Sequence, residues 1–239
     1  VAWWRPVVLT VGLTTMVVAG VRAFRRQDLK VLLAHGTVSQ LGFLVAVFGI
    51  GTDEAISAGT VMLVAHGLFK ASAFFAVGIV DHQFGTRHVD ELPRLPLFRD
   101  RQASGWLLSD RLAVAASASM AGIPLLLGFI AKEGAIRAVI HDAPPALAAV
   151  AVGSVLTAGY SYRFAWGILG RDASRPVAVD PARVPPSRVL VLPPLVLGAL
   201  TVVGGVWPAT LDQLTHSHLS LWHGFDTTLL VSAAVLAAG

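Results

Sequence analysis

A chain of 239 residues with 55% hydrophobic and only 13% charged residues falls well short of the roughly one-quarter charged content of a soluble domain, so a water-exposed globular enzyme is excluded as the default. It has no cysteine, which rules out disulfides, thiol catalysis and iron–sulfur ligation and leaves the redox compartment open. The net charge of +4 points to no nucleic-acid partner, and its placement along the chain says more than its size.

The first apolar run, 6–22, follows VAWWRP at once, without the charged region, short apolar core and cleavage site of a secretory leader, and it reads as a spanning helix. Further runs cover 30–50, 56–80, 106–140 (interrupted), 146–168 and 189–208. The last, 227–239, ends in about eleven apolar residues where a span needs about twenty, so the chain is expected to stop partway through a helix. The runs are rich in Ala, Val, Leu and Gly, as packed membrane helices are, and they do not alternate as barrel strands would. The expected fold class is an all-α polytopic membrane protein.

The connections carry charge in alternation. Loops 22–30, 81–103 and 171–188 are basic, the first with Arg22, Arg25, Arg26 and Lys30. Segments 51–55, 141–145 and 209–226 carry acidic residues and no Lys or Arg. The excess of basic residues places the first set in the cytoplasm, provided that 106–140 crosses the bilayer once despite its interruption. Two connections, ELPRLPLFRD and RPVAVDPARVPPSR, are rich in proline, and neither they nor any other stretch fits a phosphate-binding glycine loop.

Lys70 sits near the middle of the third run, and His66 lies one turn before it on the same face. A lone charge at that depth costs about 2.5–3.5 kcal/mol on insertion scales, so Lys70 is expected to face protein or a hydrated path. There it can exchange a proton with His66 directly or through one water. The alternative is a structural lysine held by carbonyls or by an acid on another helix. In AASASMAGIPLLLGFIAKEGAIRAVI, Gly122, Pro124 and Gly128 predict a broken helix, a feature tolerated where it lines a cavity or an ion path. Lys132 and Glu133 follow as the outer end of a charged path, or as interfacial charges at an ordinary helix end, and Arg137 is placed to pair with Glu133.

His35, Thr37, Ser39 and Gln40 make the most polar helix face, suited to holding water or to joining helices; His35 and Ser39 are secondary candidates for the path. His216, His218 and His223 have zinc-like spacing, but neither a carboxylate nor a cysteine completes a ligand set, so no metal and no other cofactor is expected. Trp207 and Trp222 read as interface anchors.

Three blocks, DLKVLLAHGTVSQLGF, VAHGLFKASAFFAVGIVDHQFGTR and SMAGIPLLLGFIAKEGAI, resemble in order and spacing the antiporter-like membrane subunits shared by respiratory complex I and multisubunit cation/proton antiporters. The resemblance runs from residue 6 to about 168. Within that family, VDHQFGTR, YSYRFAWG and HLSLWHGFDTTLLVSA are similar to the large A subunit of the Mrp-type sodium/proton antiporter.

The resemblance implies two inverted five-helix repeats, each with a broken helix, of which 1–168 looks like the second. Residues 169–188 would be a cytoplasmic loop and 189–239 additional helices, the last truncated. It implies that Lys70 is a central channel lysine with His66 beside it, and that Lys132 is the terminal lysine on the broken helix. Where some members have another histidine this chain has Met62, which makes a relay depend more on water. The first repeat is expected to be supplied elsewhere, with the other complex subunits, in a cell membrane. The implied function is sodium/proton antiport rather than catalysis on a covalent bond. The alternatives are a proton-pumping subunit of a quinone oxidoreductase or membrane hydrogenase, and a structural fragment that conducts nothing.

Overall fold

The structure is a computed structural model that describes residues 3–92, 114–169 and 188–207 together with Ala234. Helix α1 (Trp4–Phe24) and helix α2 (Leu29–Ile50) form an antiparallel hairpin. Their axes meet at two glycines: a β-carbon on Gly12 would stand 2.7 Å from the Gly42 carbonyl oxygen, and one on Gly42 would stand 2.6 Å from the Met16 amide nitrogen. Such contact is how helices associate in lipid, where apolar side chains gain little by leaving the tails and close backbone approach supplies the attraction.

Helix α2 starts where the Asp28 carboxylate accepts the Val31 amide at 3.0 Å, and it stops at Gly51, whose φ of 78° is left-handed. Helix α3 (Asp53–Phe84) is capped by the Thr52 hydroxyl, which accepts from the Ala55 amide at 3.3 Å. Asp53 and Glu54 in its first turn complement the positive end of the helix dipole. Gly85, at φ 67°, ends it. Its 32 residues span about 48 Å at ~1.5 Å each, more than the ~30 Å of hydrocarbon. It therefore overruns the apolar run 56–80 at both ends, and His82, placed by hydropathy in a loop, belongs to its last turn. Hydropathy stops at the first charges; the helix continues to its caps.

Residues 114–121 are helical (α4), and a second helix, α5 (Leu127–Asp142), resumes after a break. A 3-10 turn at Pro144–Ala146 leads into α6 (Leu147–Leu169). Helix α7 (Arg188–Val206) carries Pro193 and Pro194 inside it, and Trp207 follows. Among the described residues five helices are long and apolar enough to cross a membrane: Trp4–Phe24, Leu29–Ile50, Asp53–His82, Pro144–Leu169 and Val189–Val206.

Contacts order the bundle. Helix α6 lies parallel to α1, with Gly153 against Met16, Gly20 against Leu156 and Arg163 on the Arg26 carbonyl. In the middle of α4 the Ser117 hydroxyl donates to the Ser161 carbonyl at 2.5 Å, and at the far end of α5 the Asp142 carboxylate accepts from the Thr52 hydroxyl at 2.6 Å. The described part of the interrupted segment, 114–142, thus runs in one direction along the bundle; its start, 106–113, lies outside the described residues. Phe43, Phe69, Tyr160 and Phe164 fill the interior, while α7 lies on α3 and α5 with much of its surface exposed. The all-α polytopic fold with one broken helix is therefore present. The two proline-rich connections apart from Glu91, Leu92 and Arg188, the segment 227–239 apart from Ala234, and His216, His218, His223 and Trp222 lie outside the described residues.

Candidate functional site

Lys70 and His66 are carried by α3 into the bundle, and both side chains are buried, 4% and 6% exposed. The Lys70 ammonium lies where α2, α3 and α6 meet. It makes one long contact, 3.5 Å, to the Leu33 carbonyl oxygen of α2, and it sits over the Tyr160 ring of α6 at 5.3 Å from the centroid. The gap it occupies exists because residue 36 is glycine: a β-carbon there would be 2.8 Å from Lys70 Nζ and 3.0 Å from Tyr160 Cε2.

Tyr160 is fixed in turn. Its hydroxyl donates to the Gly36 carbonyl at 3.4 Å, and Gln40 Nε2 donates to that hydroxyl at 3.4 Å and to Thr157 Oγ1 at 3.0 Å. An ammonium has three donors, and one long carbonyl contact with a π face spends little of that capacity. Among the described residues no carboxylate pairs with Lys70 or with Lys132. His66 packs edge-on against Phe69, ring centres 5.4 Å apart, and its buried Nδ1 has no hydrogen-bond partner among the described residues.

The break places the second amine. Helix α4 ends in a reverse cap: the Ile123 amide bonds the Ala118 carbonyl at 3.0 Å and the Gly122 amide bonds the Ser119 carbonyl at 3.1 Å, with Gly122 at φ 90°. Leu125, at φ 72°, takes a left-handed conformation that costs a β-carbon-bearing residue ~1–2 kcal/mol. Pro124 lies in the connection between the two helices, exposed. When α5 restarts, Ser119 Oγ of α4 accepts the Gly128 amide at 3.1 Å, and a β-carbon on Gly128 would overlap the Ser119 carbonyl. Gly205 of α7 closes on the same turn, where a β-carbon would come within 2.6 Å of Leu126 Cα. Across this junction Lys132 Nζ reaches the Ala121 carbonyl at 3.4 Å, so its charge meets the negative end of α4. Lys132 is buried, 8% exposed, and Glu133 beside it is half-buried.

The other sequence candidates are engaged elsewhere. His35 Nδ1 bonds its own helix at the Val31 carbonyl, 2.9 Å, and Ser39 donates across the hairpin to the Met16 carbonyl at 2.7 Å. Both bonds serve helix geometry and helix pairing, and among the described residues no hydrogen bond joins either side chain to Lys70 or Tyr160. Two residues that carry the Lys70 cluster are not among the sequence candidates. Gly36, an interior helix glycine in AHGT, signals close approach; Tyr160 gives no signal beyond its small-residue flanks.

One end of the bundle is clamped. Arg87 Nε donates to Asp28 at 2.7 Å and its NH1 to Asp81 at 3.2 Å, while the Leu29 and Val89 amides bond the Arg87 and Gln27 carbonyls, each at 3.0 Å. Burial raises the Asp28 carboxyl, but the Arg87 hydrogen bond, the Val31 amide and the Arg87 charge outweigh it and hold it below its ordinary 3.8. Among the described residues no three histidines or carboxylates are placed to hold a metal.

The family described as NADH:quinone oxidoreductase/Mrp antiporter, TM, matches residues 1–157. The chain belongs to this family. Members similar to it include the A/B subunit of a "Probable K(+)/H(+) antiporter" from Rhizobium meliloti strain 1021, 34% identical over 99% of this chain and 25% of that protein. The A subunit of the Na(+)/H(+) antiporter from Bacillus subtilis strain 168 is 30% identical over 100% of this chain and 34% of its own length. The chain therefore spans about a quarter to a third of the curated relatives it matches.

Among solved structures, the Mrp complex from Dietzia sp. DQ12-45-1b superposes with a TM-score of 0.81 at 36% identity, over 98% of this chain and 26% of that one. Respiratory complex I from Thermus thermophilus shares the fold, with a TM-score of 0.74 at 19% identity over 100% of this chain and 46% of that one. Multi-pass membrane helices and family membership thus agree with the resemblance read from the three sequence blocks.

Proposed function

We propose that this chain is the proton-conducting part of the large A-type component in a multisubunit monovalent-cation/proton antiporter of the cell membrane. Residues 1–168 form the second five-helix repeat of its antiporter-like module, 169–188 a cytoplasmic loop and 189–239 additional helices. Loops 22–30 and 81–103 share the cytoplasmic side with that loop. The first repeat and the other components of the complex are the partners. Protons pass by hydrated steps through His66, Lys70 and Lys132, and the charge state of the two amines is coupled to movement of Na+, or of K+ as the name of the Rhizobium relative suggests, elsewhere in the complex.

The observation that carries this reading is the pair of buried amines. Each is set against a carbonyl of a neighbouring helix and neither has a carboxylate partner among the described residues. A structural lysine can also rest on a carbonyl, but the contacts here are single and long, and with no ion pair to break among the described residues each amine is free to take and give a proton. Glu133 lies at the outer end of the path beside Lys132, whereas His35 and Ser39 stand next to the route. Likeness to complex I at 19% identity speaks for the shared fold alone, so it adds nothing to a redox-driven reading.

The test is proton flux driven by Na+ or K+ in vesicles carrying the whole complex. Lys70→Ala and Lys132→Ala are expected to abolish flux while the complex still assembles. Unchanged flux in an assembled Lys70→Ala complex overturns the reading.

A further inference from the structure

On the clamped end of the bundle Tyr162 and Trp166, one turn apart on α6, stack with ring centres 5.9 Å apart and 22° between planes, and they are 61% and 40% exposed. Between them Arg163 is already immobilised. Its NH2 donates to the Arg26 carbonyl at 3.3 Å and to Gln27 Oε1 at 3.1 Å, and its guanidinium lies over the Phe24 ring at 5.4 Å. Its buried Nε has no hydrogen-bond partner among the described residues. Arg163, Tyr162, Trp166 and Val89 line a cleft of about 390 Å³. Arg22, Arg25 and Arg26 are exposed at the same end; of the acids there, Asp28 and Asp81 are held by Arg87 and Glu91 accepts from Thr86, while Asp90 is exposed, so arginines still outnumber unengaged acids.

A second cleft begins where the first ends. Tyr162 also borders an apolar slot of about 380 Å³ between α4 and α6, lined by Val114, Ala118, Ala121, Ile123 and Ala158. From Ala165 to Ala158 the slot follows α6 for about 10 Å, from the helix end toward the break.

We propose that these two clefts form one site for an anionic phospholipid, its phosphate against Arg163 between the aromatic pair and one acyl chain in the α4–α6 slot. The fixed guanidinium and the surrounding arginines select a negative headgroup. The stacked aromatics mark the depth of the membrane interface, and the basic end is the one that meets the anionic inner leaflet. A free phosphate would use the first cleft and leave the slot empty; the slot's apolar lining and its shared wall favour a lipid. The bound chain would cover the lateral side of the α4 break next to the Lys132 junction.

The experiment uses the whole complex, purified in mild detergent, stripped of lipid and titrated with phosphatidylglycerol, phosphatidylcholine or inorganic phosphate while thermal unfolding and lipid retention by native mass spectrometry are followed. Phosphatidylglycerol is expected to raise the unfolding temperature and to be retained. Arg163→Gln is expected to raise the lipid concentration for the half-maximal shift about tenfold, the loss of one charged hydrogen-bonding group. Ala118→Leu fills the slot without touching Arg163 and should weaken retention likewise, so the test survives if the Arg163 variant assembles poorly. Equal shifts with phosphatidylcholine, a full shift with inorganic phosphate alone, or unchanged retention in Ala118→Leu overturns the proposal.

Discussion

The Lys70 ammonium nitrogen stands 5.3 Å from the centre of the Tyr160 ring, in a space that the missing side chain of Gly36 keeps open. Three helices contribute one residue each to this arrangement, so its disruption is readable by mutation. A ring face and a buried ammonium attract by up to about 2 kcal/mol once water is excluded. Gly36→Ala drives a methyl into the ammonium's position, and Tyr160→Leu removes the ring face. Each is expected to lower cation-driven proton flux about tenfold or more with the complex assembled. Tyr160→Phe retains the face and loses only the hydroxyl bonds to Gly36 and Gln40, so its loss should be clearly smaller. Equal losses in the Phe and Leu variants would show that the hydroxyl, and not the ring, matters.

The helix break makes a separate prediction about stability. Ser119→Ala leaves the Gly128 amide buried without its acceptor, which costs about 1–3 kcal/mol. Gly128→Ala forces a methyl onto the Ser119 carbonyl, an overpacking that costs a similar ~1–3 kcal/mol or more. Both should lower the unfolding temperature of the purified complex. If Gly128→Ala unfolds at the wild-type temperature, the two half-helices do not meet as described.

The Asp28–Arg87 clamp sets a pH dependence. A carboxyl held below its ordinary value contributes stability that is fully present above pH 3.8 and is lost as pH falls through the lower folded value. Asp28→Asn keeps a capping side chain and removes the charge, whereas Asp28→Ala removes both, so Ala should destabilise further by about 1 kcal/mol. The stability difference between wild type and Asp28→Asn should be constant from pH 7 to pH 5 and shrink only below pH 3.8. A difference that already shrinks at pH 6 would assign the effect to another group.

Much of this is legible in the sequence because membrane helices advertise themselves. Long apolar runs mark the spans, alternating loop charge requires a single crossing for 106–140, and Gly122, Pro124 and Gly128 mark the break. Lys70, His66 and Lys132 stand out because charge in an apolar run is costly. What is not legible depends on how helices turn against one another. The polar face of α2 reads as one unit, yet Gln40 joins the Tyr160 cluster while Ser39 faces α1 and His35 bonds its own backbone. Tyr160 looks like one more aromatic in a small-residue helix until α6 is set beside α2. Hydropathy also misplaces the ends of α3, where the caps at Thr52 and Gly85 decide the length.

Orientation is open to a direct test, because the chain contains no cysteine and single cysteines can be introduced at chosen depths. Glu54 and Asp90 are both exposed; Glu54 lies in the first turn of α3 and Asp90 in the connection beyond its other end, and the helix from Glu54 to Phe84 is about 45 Å long. The orientation proposed from the basic loops puts Asp90 inside the cell and Glu54 outside. In intact cells a membrane-impermeant maleimide should label Glu54→Cys and not Asp90→Cys, and permeabilisation should make Asp90→Cys reactive. The reverse pattern would invert the whole bundle. It would turn the Arg163 end toward the outer leaflet and place Lys132 on the inner half of any path from Lys70. Labelling of both positions in intact cells would mean that α3 does not separate the two compartments, and the spanning assignment of this helix would fall with it.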